Sequence, residues 1–299
     1  LVGSEMCIRD SKACSIKQYM QSIVCIGDSL TQGNYSYDWV KHLSKKMPFI
    51  EFINMGNNGE TAKVLKTRLQ KDVIDLNPDY VVVLIGGNDL IGATHETAGK
   101  MYVDMFKDIL VRPPCQEDYQ NEMLQIVQIL DLKLPKHTKV LILSPPPIGE
   151  GGPSSEEWKL GLEFSYICRN CVRTASPRVT FMDLFGDVQW DMIKMIDGDY
   201  KPLTLSLTKM TFSYMLSYIL DWNNVSWINN YKYTTDGIHF SNHFGEIIED
   251  IKEFGKDRRY ATIQNKMIFC QIKKATEYSH ETKWQRKLLE CRNILLYQY

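Results

Sequence analysis

The sequence predicts an α/β domain, a three-layer α/β/α sandwich around a mostly parallel, doubly wound sheet. Three observations carry that expectation. Short apolar runs recur at 23–26, at 80–85 and within 139–144, and unbroken apolar character, as at 80–85, suits strands buried on both faces. Stretches with helical spacing separate them, so strand and helix alternate, the order that builds a parallel sheet. The chain has 299 residues, 44% hydrophobic and 24% charged, ordinary for a globular protein and enough for one large domain.

Taken in order, Ile23-Val-Cys-Ile26 reads as a short buried strand. Gly27 breaks it, and Asp28-Ser29 fall where a helix begins, which puts Ser29 at the carboxyl end of a strand. Ligands bind at that edge in open α/β sheets. A helix amino terminus there offers free N–H groups to an oxyanion; the plainer reading is a turn whose Asp and Ser only cap the helix. Trp39, Val40, Leu43 and Met47 share a helical stripe, and a strand follows at 50–54. The glycine-rich loop Met55–Thr61 comes next. Leu65, Leu69, Val73 and Leu76 mark a helix that Asn77-Pro78 ends. The strand at 80–85 is closed by Gly86-Gly-Asn-Asp89. Helices are expected near 97–111 and 118–132, on either side of Arg112-Pro-Pro-Cys115. A strand at 139–144, stopped by Pro145-Pro-Pro147, then a helix near 156–174 and a strand near 179–183 complete the alternation.

Residues 186–233 interrupt this pattern and predict a helical insertion. Between Met210 and Trp222 lie Phe212, Tyr214, Met215, Leu216, Tyr218, Ile219 and Leu220, too many apolar residues for one stripe. The segment is either a core helix or a lid beside a pocket. On the second reading Met215 and Leu216 contact substrate, and Asp28 is the expected contact near the nucleophile. Thr234-Thr-Asp-Gly-Ile-His239 leads to Ser241, which has N-cap chemistry. Phe244, Ile247, Ile248 and Ile251 mark the helix it would start, and Gly255 its end. The domain is thus expected to span 20–255. Residues 1–19 lack the apolar centre of a signal peptide, fit no element, and read as a leader outside the fold. Residues 256–299 read as a helical C-terminal extension.

That extension carries ten Lys/Arg against four Asp/Glu, a net of +6, leaving 25 against 32, or −7, on the remainder. A basic tail on an acidic body suits an acidic partner or a membrane surface, although a solvated helical face explains it as well. It holds no nucleic-acid module, so no nucleic-acid partner is expected. No run of about 18 apolar residues exists, so no transmembrane segment is predicted. Eight cysteines are scattered; Cys168 and Cys171 form a C-x-x-C without a second pair at metal spacing, so no metal or other cofactor is expected. Reduced thiols predict a cytoplasmic protein.

Four loops now stand out: Gly27-Asp-Ser-Leu30, Gly56-Asn-Asn-Gly59, Gly86-Gly-Asn88 and Asp236-Gly-Ile-His239. The first three follow strands and return to one sheet edge. A Ser, a flexible Gly, an Asn amide and an Asp/His pair thereby meet on one rim, the parts an acyl-transfer site needs. Each also has a structural explanation: Gly59 permits a tight turn, Asn88 bridges loop backbone, and His239 flanks a helix. The other five histidines lack a comparable Asp-x-x-His setting.

Over about residues 22–254 the sequence resembles the SGNH hydrolases, the GDSL esterase/lipase family, in all four motif blocks. The resemblance implies a flavodoxin-like fold, with Ser29 as nucleophile, His239 as base and Asp236 as its partner. It implies an oxyanion hole built from the Ser29 backbone, Gly59 and Asn88. The Gly-Asp-Ser-Leu-Thr-Gln opening and the Ser-Pro-Pro-Pro run are most similar to the small-ester branch typified by isoamyl acetate hydrolases. A small-molecule ester or lipid substrate follows from the same resemblance. Compact members have nothing to match the long stretch 186–233 or the basic extension.

Two other readings compete. A phosphate-binding α/β protein would use the Gly-rich loops as anion cradles, but no G-x-G-x-x-G or Walker pattern opens the first helix. A non-catalytic relative would bind ligands through the lid and tail, but every expected catalytic side chain is present.

Overall fold

The computed structural model describes residues 21–196 and 205–242. The expected leader (1–19), the helix expected over 243–255 and the basic extension lie outside the described residues. Five strands, β1 (Gln21–Gly27), β2 (Ile50–Gly56), β3 (Tyr80–Leu84), β4 (Lys139–Leu143) and β5 (Val179–Met182), form one sheet in the order β2-β1-β3-β4-β5. Every pairing is parallel. The order runs outward from β1 in both directions, so the sheet is doubly wound and its switch point lies between β1 and β3. Gly27 pairs with Gly56 on one side and Leu84 on the other, so three neighbouring strands end level.

Ten helices were traced among the described residues: α1 (Ser29–Gln32), α2 (Trp39–Lys46), α3 (Ala62–Leu69), α4 (Gly87–Thr94), α5 (Glu96–Met105), α6 (Gln116–Lys133), α7 (Glu156–Arg173), α8 (Leu184–Ile196), α9 (Leu207–Leu216) and α10 (Trp222–Asn229). A π-helical turn, Gln70–Ile74, prolongs α3. Ile23, Val24, Cys25 and Ile26, like Val81, Val82 and Val83, are sealed on both faces by these helices. Burying side chains of that size stabilises the sheet by about 1.5–3 kcal/mol each. Tyr119 of α6 stacks on Phe164 of α7 with ring centroids 4.0 Å apart. Its hydroxyl donates to the Ile85 carbonyl at 3.2 Å, which fixes the end of β3 from below.

Two expected elements come out differently. The helix expected over 97–111 stops at Met105, because the chain turns there to lay Pro113 and Pro114 against Gly99 and Gly92. The stretch from Met210 to Trp222 is not one helix: α9 ends at Leu216, and Asp221 opens α10 by accepting the Asn224 N–H at 3.0 Å. Nor is it core. Phe212, Met215, Tyr218 and Ile219 are all more than half exposed. Cys25, Cys115, Cys168 and Cys171 are free thiols. Among the described residues no helix is long and apolar enough to cross a membrane.

Candidate active site

The β1–α1 turn sets the site. A Cβ at Gly27 would lie 2.2 Å from the Leu84 carbonyl oxygen, so only glycine lets β1 end flush against β3. Asp28 then caps α1, its Oδ1 accepting the Leu30 N–H at 3.0 Å. Ser29 becomes the first helical residue, where the backbone N–H has no partner within the helix. The Trp39 indole N–H donates to the Leu30 carbonyl at 2.9 Å and clamps the turn from outside.

From 210 residues away, His239 brings Nε2 to 2.9 Å from Ser29 Oγ. Its Nδ1 lies 2.7 Å from Asp236 Oδ2. Asp236 Oδ1 accepts the backbone N–H groups of Ile238 and His239, both at 2.9 Å, so the carboxylate can point only at the ring of its own turn. Burial opposes ionisation of Asp236, but the charge and hydrogen bonds of His239 outweigh it and hold the carboxyl below its ordinary range. For His239 burial favours the neutral ring; Asp236 outweighs it and raises the imidazole above its ordinary value.

Facing Ser29 are the loops after β2 and β3. Gly59 has φ +75°, a left-handed backbone that glycine adopts without strain. A Cβ there would lie 3.0 Å from Met105 Sδ. Asn88 Nδ2 donates to the Glu60 carbonyl at 2.9 Å, and its Oδ1 accepts the Tyr102 hydroxyl at 2.7 Å. A carbonyl can only accept, so this pair of contacts orients the amide. The Glu60 side chain is held by Arg68, whose Nε lies 2.9 and 2.7 Å from its two oxygens. The same guanidinium reaches the Gly27 carbonyl at 3.1 Å, tying the Gly59 loop to the strand end before Ser29.

The structure therefore brings Ser29, His239 and Asp236 into one hydrogen-bonded series, with Gly59 and Asn88 across from it. Asp28, expected to contact substrate, is buried: Oδ1 is committed to the Leu30 N–H and Oδ2 faces Asn88. Burial raises its carboxyl to about 7, against the pull of the Leu30 N–H and of His239 and with help from Glu60. Asp89 behaves alike, raised to about 7 by burial while its Oδ2 accepts the Ala62 N–H at 2.9 Å. Met215 and Leu216 lie on the same segment as the aromatic residues nearest the site. Met215 is 62% exposed, and it is Tyr214 and Trp222 that reach toward the site, through Tyr35. The Tyr35 ring lies 5.8 Å from that of His239.

Tyr35, Arg68, Tyr102 and Glu150 escape a reading of the sequence. Tyr35 sits in a loop without periodicity, and Arg68 and Tyr102 look like ordinary helical residues. Glu150 follows the triple proline with only its position to mark it. A buried carboxylate there is visible only once the Asp236 loop folds onto it.

A parallel doubly wound sheet with a Ser–His–Asp series at its switch point defines the class: a three-layer α/β/α domain with its candidate site at the carboxyl edge of the sheet. The chain belongs to the GDSL-like Lipase/Acylhydrolase family, whose match spans residues 25–205. A curated relative, the uncharacterized lipoprotein YqeF of Bacillus subtilis (strain 168), is 32% identical over 78 residues, which are 23% of this chain and 32% of that protein. The chain thus covers about a third of that relative's length. Among solved structures, the acetylxylan esterase Axe2 from Geobacillus stearothermophilus superposes with TM-score 0.51 at 17% identity, covering 79% of this chain and 95% of its own. A variant described as an acetyl-xylooligosaccharide esterase gives 0.50 at 16% over the same shares. At such identities the likeness shows the shared fold.

Proposed function

We propose that this member is a serine esterase that cleaves carboxylic esters of small or medium acyl chains through an acyl-enzyme. Ser29 Oγ attacks the ester carbonyl carbon as His239 Nε2 takes its proton. The carbonyl electron pair moves onto oxygen, which accepts hydrogen bonds from the Ser29 and Gly59 N–H groups and from Asn88 Nδ2. The intermediate collapses and expels the alcohol, which takes the proton from His239. Water, deprotonated by the same ring, then releases the acid and regenerates Ser29. Asp236 keeps Nδ1 protonated and stabilises the imidazolium without taking the proton.

The observation that carries this reading is the continuous Ser29–His239–Asp236 series, with contacts of 2.9 and 2.7 Å. The aromatic cluster of Tyr35, Tyr214 and Trp222 beside it supports an apolar wall for the acyl or alcohol group. Hydrolysis of p-nitrophenyl acetate, butyrate and octanoate by the wild type and by Ser29→Ala tests the proposal. The variant is expected to lose on the order of 10⁴-fold or more in kcat with its fold intact. Near-native turnover by Ser29→Ala, or binding of these esters without turnover by the wild type, overturns the proposal.

A further inference from the structure

Asp236 and His239 lie on a loop outside the sheet and the helices, so its geometry depends on what it is fastened to. The entry to that loop turns three successive N–H groups onto one carboxylate, that of Glu150. Oε1 accepts from Tyr233 at 2.8 Å and Thr234 at 2.9 Å, and the Lys232 N–H lies 3.1 Å from both oxygens. The Thr234 hydroxyl also donates to Oε1, at 3.1 Å, and accepts the Gly237 N–H at 3.1 Å. A chain of contacts therefore runs from Glu150 to the residue that follows Asp236. One position earlier, the Gly149 N–H donates to the Gly237 carbonyl at 2.6 Å.

Glu150 is 1% exposed, so these donors find their partner in its carboxylate and not in bulk solvent. It descends from β4 by way of Pro145-Pro-Pro147, whose fixed φ angles limit how far the loop can give. The carboxylate thus connects the sheet to a loop whose own pairing is a single antiparallel bridge between Thr234 and Phe240. Its two oxygens serve three neighbouring N–H groups and the Thr234 hydroxyl at once.

We propose that Glu150 is a positioning residue for the Asp236–His239 pair, templating the loop backbone so that the imidazole meets Ser29. This rests on the proposed esterase reading. The charged or titratable groups facing the ring of His239 are Asp236, Asp28 and the phenol of Tyr35, whose ring lies 5.8 Å away. Near Glu150 lies Tyr231, whose hydroxyl is pushed up to about 12 by burial and by Glu150, Asp236 and Glu157; Lys232 meets Glu150 through its backbone N–H, while its Nζ lies over the Tyr233 ring.

The test compares the full chain with Glu150→Ala, Glu150→Gln and Thr234→Val. The readouts are kcat and KM on p-nitrophenyl acetate and an NMR titration of the His239 ring. Glu150→Ala is expected to lower kcat about 100-fold with KM within about threefold, the scale of a small misplacement of a catalytic group. The His239 pKa falls toward that of an ordinary imidazole, because Asp236 no longer sits squarely on Nδ1. Glu150→Gln, which keeps an accepting oxygen for Tyr233 and Thr234, is expected to stay within about tenfold of wild type. Thr234→Val, which removes the hydroxyl's contacts with Glu150 Oε1 and the Gly237 N–H but leaves the three backbone donors on Glu150, falls between the two.

A folded Glu150→Ala protein with unchanged kcat and an unchanged His239 titration overturns the inference. If that variant does not fold, Thr234→Val decides: wild-type kcat and titration there overturn it equally. The titration reads the loop whether or not esters turn over. A wild type inactive on every ester therefore sinks the esterase reading alone.

Discussion

Replacing Asn88 by Ala separates transition-state stabilisation from ordinary binding. One amide hydrogen of Asn88 goes to the Glu60 carbonyl at 2.9 Å, and the other makes a long contact of 3.4 Å with Asp28 Oδ2. An oxygen that gains charge during attack is expected to draw that second hydrogen away from so long a contact. Loss of one such donor typically costs roughly 3 kcal/mol, or about 150-fold in kcat. KM is expected to move less than about threefold, because the ground-state carbonyl gains little from the contact. The substitution also strands the Glu60 carbonyl and the Tyr102 hydroxyl, each a buried loss of about 1–3 kcal/mol, so Tm is expected to fall by roughly 5–10 °C. Tyr102→Phe supplies the control. It removes the hydroxyl that orients the amide but leaves the donor, so a loss of about 1 kcal/mol in stability and a modest drop in kcat are expected. Steady-state kinetics with p-nitrophenyl acetate and a melting curve read both. A rise in KM alone for Asn88→Ala would falsify the oxyanion role, and an equal collapse of kcat in Tyr102→Phe would assign the effect to packing.

Two further outcomes follow from the same geometry. His239→Ala is expected to be nearly as inactive as Ser29→Ala, with Asp236→Asn less severe, and wild-type activity should rise with pH through an acid limb above the ordinary imidazole value of about 6.5, since His239 must be neutral to accept the proton and Asp236 raises it; a profile flat from pH 5 to 8 refutes a histidine base. Tyr214→Ala, which removes the ring packed 5.4 Å from Tyr35, is expected to cost octanoate more than acetate, by about 0.8 kcal/mol per methylene that loses contact, while the half-open Met215→Ala leaves the ratio unchanged; equal losses at every chain length dispose of the apolar wall.

What could be read from the sequence was whatever depends on local pattern. Ile23–Ile26 and Tyr80–Ile85 are apolar without interruption because helices cover both faces of their strands, so sheet and alternation were visible directly. Ser29, Asn88 and Gly59 were placed on one rim because parallel strands deliver their following loops to one edge. The role of Asp28 was not visible, since a cap and a substrate contact demand the same residue type, and only burial separates them. Tyr35 and Glu150 were hidden for another reason: each acts on a partner about 80 to 200 residues away in sequence, and no spacing rule connects them. The apolar crowding of 210–222 was plain, but its outcome was not. Apolar residues on several sides of a segment fit burial in a core and exposure at a rim equally well until the turn at Asp221 breaks the helix.

Asp28 and Asp89, buried behind the oxyanion rim, keep their protons up to about pH 7, against 3.8 for ordinary aspartates. Between those values the folded chain holds protons that the unfolded chain has released, so these two groups make stability decline as pH rises across that window. His239 acts with the same sign: its raised pKa contributes stability that is lost as pH climbs through it. Asp236 runs the other way, as do Asp118 and Asp131 farther off, their lowered carboxyls stabilising the fold above 3.8 and ceasing to do so as acid protonates them. The proton that His239 must shed to take one from Ser29 is therefore a proton the fold is better off keeping. For Asp28, Asp89 and His239, then, the pH at which turnover rises is the pH at which their contribution to stability falls.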